Sequence, residues 1–135
     1  TNVTSYKKVK CAFCNEDRMP TSRYCMRCWV SIPVKKKWRM PNNEETELLI
    51  SKLIEKLYLS DFSCFYTGIK LIPGLNASID HRIPKNKGGE NTIENLEWVH
   101  VGINNMKADR TEKQFIAAYG SMLVEYNLLA SKGII

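Results

Sequence analysis

Apolar side chains recur at two different periods along the chain, and the change of period marks out its elements. From Glu44 to about Leu59, the residues Leu49, Ile50, Leu53, Ile54 and Leu57 fall three and four apart, with Glu45, Lys52, Glu55 and Lys56 facing water between them. This is the stripe of an amphipathic helix, and Pro41-Asn42-Asn43-Glu44-Glu45 supplies its start, an Asn cap followed by acids in the first turn. From Ile79 to Ile83, and again from Leu96 to His100, apolar and polar side chains alternate instead. Alternation sends successive side chains to opposite faces, so both stretches read as short strands. Pro84 and the Gly88-Gly89 pair end the first strand in a loop. After the second strand, Ile103, Met106 and Lys107 return to helical spacing from Val101. Thr111-x-x-Gln114 then has the form of a capping box, with Phe115, Ile116 and Tyr119 behind it. Gly120 is expected to break or bend that helix before Met122, Leu123, Tyr126, Leu128 and Leu129.

Between the long helix and the first strand, Asp61 to Gly68, Ile69 to Leu71 and the Pro73-Gly74 turn predict a hairpin. The elements together make an α+β chain of 135 residues, 44% of them hydrophobic, which is enough for one modest core with a small satellite module. No apolar run approaches about 18 residues, so no membrane span is expected. The first residue is Thr rather than Met, which fits numbering that starts inside a longer product or after a tag. No signal peptide is read.

Charge changes the picture at the amino terminus. Residues 1–40 carry Lys7, Lys8, Lys10, Arg18, Arg23, Arg27, Lys35, Lys36, Lys37 and Arg39 against Glu16 and Asp17, while the whole chain is only +6. A basic arm on a weakly acidic body is the footprint of polyanion binding, against the plainer reading of a solvated surface. Within the arm, Lys35, Lys36, Lys37 and Arg39 flank Trp38 and read as a linker lying along a phosphate backbone, or else as a solvated hinge before Pro41.

The same arm holds Cys11-x2-Cys14 and Cys25-x2-Cys28. Each pair can form a knuckle whose backbone amides point at the sulfurs, and four thiolates make a closed tetrahedral zinc site. A segment this short and polar has too little apolar material to fold without a metal. Two disulfides in a secreted protein are the alternative, and nothing else points to export. Phe13, Tyr24 and Trp29 are expected to cover the site, with base stacking as their other use. Domain boundaries follow: a basic four-cysteine zinc module and linker over 1–40, and a second domain over 41–135 with its strand-loop-strand-helix unit at about 76–110.

That unit carries the chemistry. Asp80 on the first strand and Asn104 on the helix can face each other and offer hard oxygen ligands suited to Mg2+ or Mn2+. His81 beside them is placed as a general base, since imidazole titrates near neutral pH. Asn95, at the turn into the second strand, can bond the backbone near His81 and fix the ring. Taken singly, Asp80 is equally an Asx-turn residue, His81 a strand-end histidine and each Asn a cap. The joint spacing is more specific: Asp80-His81, thirteen residues, Asn95, eight residues, Asn104, then Lys107.

At these residues the chain resembles the HNH (ββα-metal, His-Me finger) endonuclease family, over residues 62–113. The resemblance implies that Asp80 is the metal-binding acid, His81 the general base, Asn95 the structural asparagine and Asn104 the second metal ligand, a position where many relatives have His. Lys107 resembles the basic residue that ends the motif and is assigned to phosphate contact, with Arg82, Lys85, Lys87 and the arm residues as further DNA contacts. Many relatives carry a second zinc site flanking the motif. Here only Cys64 and His100 stand at those places, so Cys64 reads as a small buried hydrophobe and His100 as a strand-end residue, with phosphate binding as its alternative. The resemblance further implies a metal-dependent enzyme that nicks or cuts double-stranded DNA, similar to small phage homing and mobile-element nucleases. Its location would then be intracellular, in the cytoplasm of a bacterial host if phage-encoded. Monomer and homodimer stay open. The rival readings are a catalytically silent zinc-dependent DNA-binding protein and a structure-specific nuclease on branched DNA or RNA.

Overall fold

The long helix starts where its cap residue stands: Asn43 Oδ1 accepts the Thr46 amide at 2.9 Å, and helix α2 runs Glu44–Leu59. A computed structural model supplies this structure, and it describes residues 10–135. Within it the chain forms two compact units, one reaching to Glu55 with Pro73–Leu75, the other comprising Lys56–Ile72 and Asn76–Ile135. The architecture is α+β.

In the first unit, helix α1 (Met26–Ser31) is capped by Cys25 and passes directly into a π-helical turn, Ile32–Lys37. The expected linker is therefore helical. Val34 and Trp38 are both buried, and these two apolar anchors fold the lysine run onto its own unit. Leu49, Ile50 and Leu53 of α2 are buried as the periodicity predicts, and Ile54 is half-buried.

The second unit is built on a two-stranded antiparallel sheet. Strand β1 (Ala77–His81) pairs with β2 (Leu96–His100), with Asp80 opposite Glu97 and His81 opposite Leu96. The first strand begins and ends two residues earlier than its alternation implies. The cause is local: the Asn95 side chain takes both backbone groups of Ile83, and Pro84 has no amide to give. Lys56, expected to face water, instead donates to the carbonyls of Ile93 and Leu96 and pairs with Glu97 at 2.7 Å. The predicted hairpin is reduced to a single bridge, Ser63 to Lys70, around a tight turn in which Gly68 donates to the Cys64 carbonyl at 2.8 Å.

Helix α3 (Val101–Lys107) follows β2 without a loop, because His100 serves as its cap and accepts the Gly102 amide through Nδ1 at 2.9 Å. Helix α4 (Glu112–Ser131) opens with the full capping box at Thr111 and Gln114 and runs through Gly120 unbroken. A Cβ there would meet only Ile116, at an ordinary 3.7 Å, so the glycine costs helix propensity and nothing more. Phe115 anchors α4: it is fully buried and packs edge-on to Tyr66, ring centroids 5.3 Å apart. Phe115→Ala is expected to destabilise the protein by about 3–5 kcal/mol. A urea unfolding curve checks this, with the midpoint falling at unchanged slope.

Candidate active site

Residues from β1, the following loop and α3 meet at the end of the hairpin. Asp80 is 4% exposed, and its Oδ1 accepts from Lys107 Nζ at 3.2 Å. Its other oxygen, Oδ2, is buried and has no hydrogen-bond partner among the described residues. Burial pushes the Asp80 carboxyl up to about 6, the positive charge of Lys107 pulling against it. A folded value above the unfolded one means the acid form is favoured by folding. The stability Asp80 contributes is thus fully present below the ordinary carboxylate range and is lost as pH rises through about 6. Without divalent cations, wild type is expected to lose stability relative to Asp80→Asn across that window, measured as the difference between their unfolding free energies at successive pH values.

Lys107 requires a correction. Assigned from the motif to phosphate contact, it is fully buried, and its ammonium is spent on Asp80 and on the His81 carbonyl at 2.8 Å. A buried lysine survives only when paired, and this pair meets one Asp80 oxygen and leaves the other without a partner among the described residues.

His81 stands at the end of β1, half-buried, with Nε2 2.7 Å from Asn91 Oδ1. Asn95 braces the loop between them. Its Oδ1 accepts the Ile83 amide at 2.9 Å, and its Nδ2 donates to the carbonyls of Ile83 at 3.0 Å and Glu90 at 2.9 Å. The loop also requires a glycine: a Cβ on Gly89 would lie 1.6 Å from the Ile83 carbonyl oxygen. On α3, Asn104 donates through Nδ2 to Ser78 Oγ at 3.1 Å and to the Ile79 carbonyl at 3.4 Å, which ties it to the strand that carries Asp80. Its Oδ1 is then the atom of the amide suited to a hard cation.

Residues 67–110 match the family model described as HNH endonuclease. Over this stretch the chain is similar to an HNH endonuclease domain. A search among curated proteins finds no match to it. An HNH domain supports a nuclease that acts on nucleic acid with a divalent metal. In this one, an unpartnered buried carboxylate oxygen on Asp80 fits such an ion, since burying it unmet costs free energy that a cation would recover.

Several residues in and beside the matched stretch escape a reading of the sequence alone. Asn91 looks like any loop asparagine. Tyr66 is buried with its hydroxyl unpartnered, and burial together with the Asp80 charge pushes its phenol up. Glu112 pairs with Arg82 Nε, and the Arg82 guanidinium lies 5.7 Å from the Phe65 ring centre. Arg82 is thus already engaged, and Lys87 donates to Gln114 at 3.1 Å, whereas Lys85 is exposed. His100 spends Nδ1 on capping α3, and Cys64 is buried.

In the amino-terminal unit, the four sulfurs of Cys11, Cys14, Cys25 and Cys28 lie within 4.8 Å of one another, the group of potential metal ligands found among the described residues. Cys14 and Cys25 sulfurs are 3.8 Å apart, the edge expected of a tetrahedron with metal–sulfur bonds of about 2.3 Å. Amides of Phe13 and Cys28 point at sulfurs at 3.4 and 3.5 Å, as knuckles require. No disulfide joins any of the four. The cluster fits a structural zinc. Phe13, whose amide meets Cys11 Sγ, is 52% exposed and stacked on Tyr24, with the Lys36 ammonium 4.6 Å from its ring centre. Lys35 pairs with Glu47 at 2.6 Å and Arg27 with the same carboxylate, which together hold Glu47 below its usual range. Lys37 and Arg39 are exposed, while Lys7 and Lys8 lie outside the described residues. No helix among the described residues is long and apolar enough to cross a membrane.

Proposed function

We propose that the chain is a DNA endonuclease that hydrolyses a phosphodiester bond, with His81 as general base and one Mg2+ or Mn2+ held by Asp80 and Asn104. The observation that carries this is the buried, unpartnered Oδ2 of Asp80, followed in the chain by His81, whose imidazole is held by Asn91. His81 takes the proton from the attacking water. When bound, the cation supplies charge stabilisation to the phosphate and the leaving 3′ oxygen. Asn95 keeps the loop that presents His81 closed. Residues 1–40 act as a zinc module and basic arm, and 41–135 as the nuclease domain. Lys36, Lys37, Arg39 and Lys85 are the exposed cations that suit phosphate contact, and Lys35, Arg82 and Lys87 join them by exchanging their present partners. The substrate is duplex DNA and the setting intracellular, as in homing or mobile-element nucleases.

One observation favours a second reading, a zinc-stabilised DNA-binding protein without activity: Lys107 already offers Asp80 a buried positive charge. Incubation with supercoiled plasmid and Mg2+ separates the two. The nuclease reading predicts conversion to the open circle by wild type; a silent protein retards the plasmid in a gel and leaves it supercoiled.

A further inference from the structure

The partner of the His81 ring fixes which of its nitrogens is basic. An amide oxygen only accepts hydrogen bonds, so the tautomer that completes the 2.7 Å contact with Asn91 Oδ1 carries its ring proton on Nε2. The lone pair is then on Nδ1. We propose that Asn91 is the positioning residue of the general base, holding His81 as the Nε2–H tautomer with Nδ1 turned to the reacting water. The inference rests on the nuclease reading for its catalytic consequence and on geometry alone for the tautomer.

Asn91 is itself held. Asn95 Nδ2 donates to the carbonyl of Glu90, so the peptide that enters Asn91 is fixed by the same side chain that clamps Ile83. His81 and Asn91 are ten residues apart, and the two glycines between them let the loop fold back tightly enough for the side chains to meet. An acceptor on one ring nitrogen raises the electron density of the other and stops the ring from flipping, which is the role an orienting group plays beside a general base.

Three proteins test this: Asn91→Leu, which keeps the volume and loses the acceptor, Asn91→Asp, which keeps the acceptor, and wild type. The first readout is the ring Nε2–H resonance of His81 in a 15N-labelled, DNA-free protein. His100 is the internal control, since its Nδ1 accepts from Gly102 and does not involve Asn91. Wild type and Asn91→Asp should show a slowly exchanging Nε2–H, and Asn91→Leu should lose it while His100 stays put. The second readout is plasmid nicking, where Asn91→Leu should lower kcat roughly 10- to 100-fold at unchanged KM and Asn91→Asp should restore most of it. A wild-type His81 protonated on Nδ1, or an Asn91→Leu protein with ring proton and kcat both intact, overturns the proposal. A protein with the predicted ring signals that never nicks DNA upholds the hold of Asn91 on His81 and overturns the nuclease reading instead.

Discussion

Replacing Cys14 with serine is expected to release zinc and unfold the amino-terminal module. Over residues 10–29, Cys11 is the buried apolar side chain, so this stretch has no hydrophobic core of its own. Its backbone contacts include a bridge between Lys10 and Asp17, amides of Cys11 and Ala12 on the carbonyls of Glu16 and Arg23, the Met19 amide on Tyr24 and the Ser22 amide on Met19. Such bonds contribute about 1 kcal/mol each, against an ordering cost of about 1–2 kcal/mol per residue. A structural zinc contributes on the order of 10–16 kcal/mol, and this sum decides the balance. Wild type should therefore contain one zinc per chain, and a strong chelator should open the amides of residues 10–29 to hydrogen exchange. Cys14→Ser should exchange in the same way without chelator. Protection that persists in the variant would mean the sulfurs hold the fold without metal.

Replacing His81 with alanine is expected to lower plasmid nicking by roughly 10²- to 10⁴-fold, the usual contribution of a positioned general base. The loss should fall on kcat, because the imidazole acts on the attacking water and not on DNA binding. Binding should be unchanged in a filter or gel assay, since the exposed cations of the arm and loop are untouched. Stability should change little: His81 is half-buried at a strand end, and its backbone carbonyl, which receives Lys107, remains in place. A variant that nicks at the wild-type rate would remove His81 from the chemistry.

Where sequence spacing is set by local geometry, the fold can be read from it directly. The stripe of Leu49, Ile50, Leu53 and Leu57, the Asn43 cap, the capping box at Thr111 and the strand over Leu96–His100 each depend on residues within a turn or two, and each is realised. The spacing of Asp80, His81, Asn95 and Asn104 places them on one hairpin and one helix, where Asn95 bonds to Ile83 just after His81 and Asn104 to Ser78 and Ile79 just before Asp80. What is illegible depends on distant partners. Nothing near Lys107 says that its ammonium will be buried against Asp80, 27 residues back. Arg82 looks like a cation for phosphate until Glu112 is seen beside it, 30 residues on. The arm is misread for the same reason. Lysines at 35 to 37 suit a linker by composition, and only the burial of Val34 and Trp38 makes them a helical turn. Gly120 errs the other way, since a glycine permits a break that packing on both sides of it does not use.

Binding of a hard divalent cation to the DNA-free, zinc-loaded protein bears most directly on whether Asp80 and Asn104 share an ion. Titrated with Mn2+ and followed by electron paramagnetic resonance, wild type should take up one ion per chain at this site. Asp80→Asn should weaken that binding strongly, and Asn104→Ala should weaken it as well, with zinc content unchanged in both. Equal Mn2+ uptake by all three proteins would show that the Asp80 carboxylate, paired with Lys107, holds no catalytic metal.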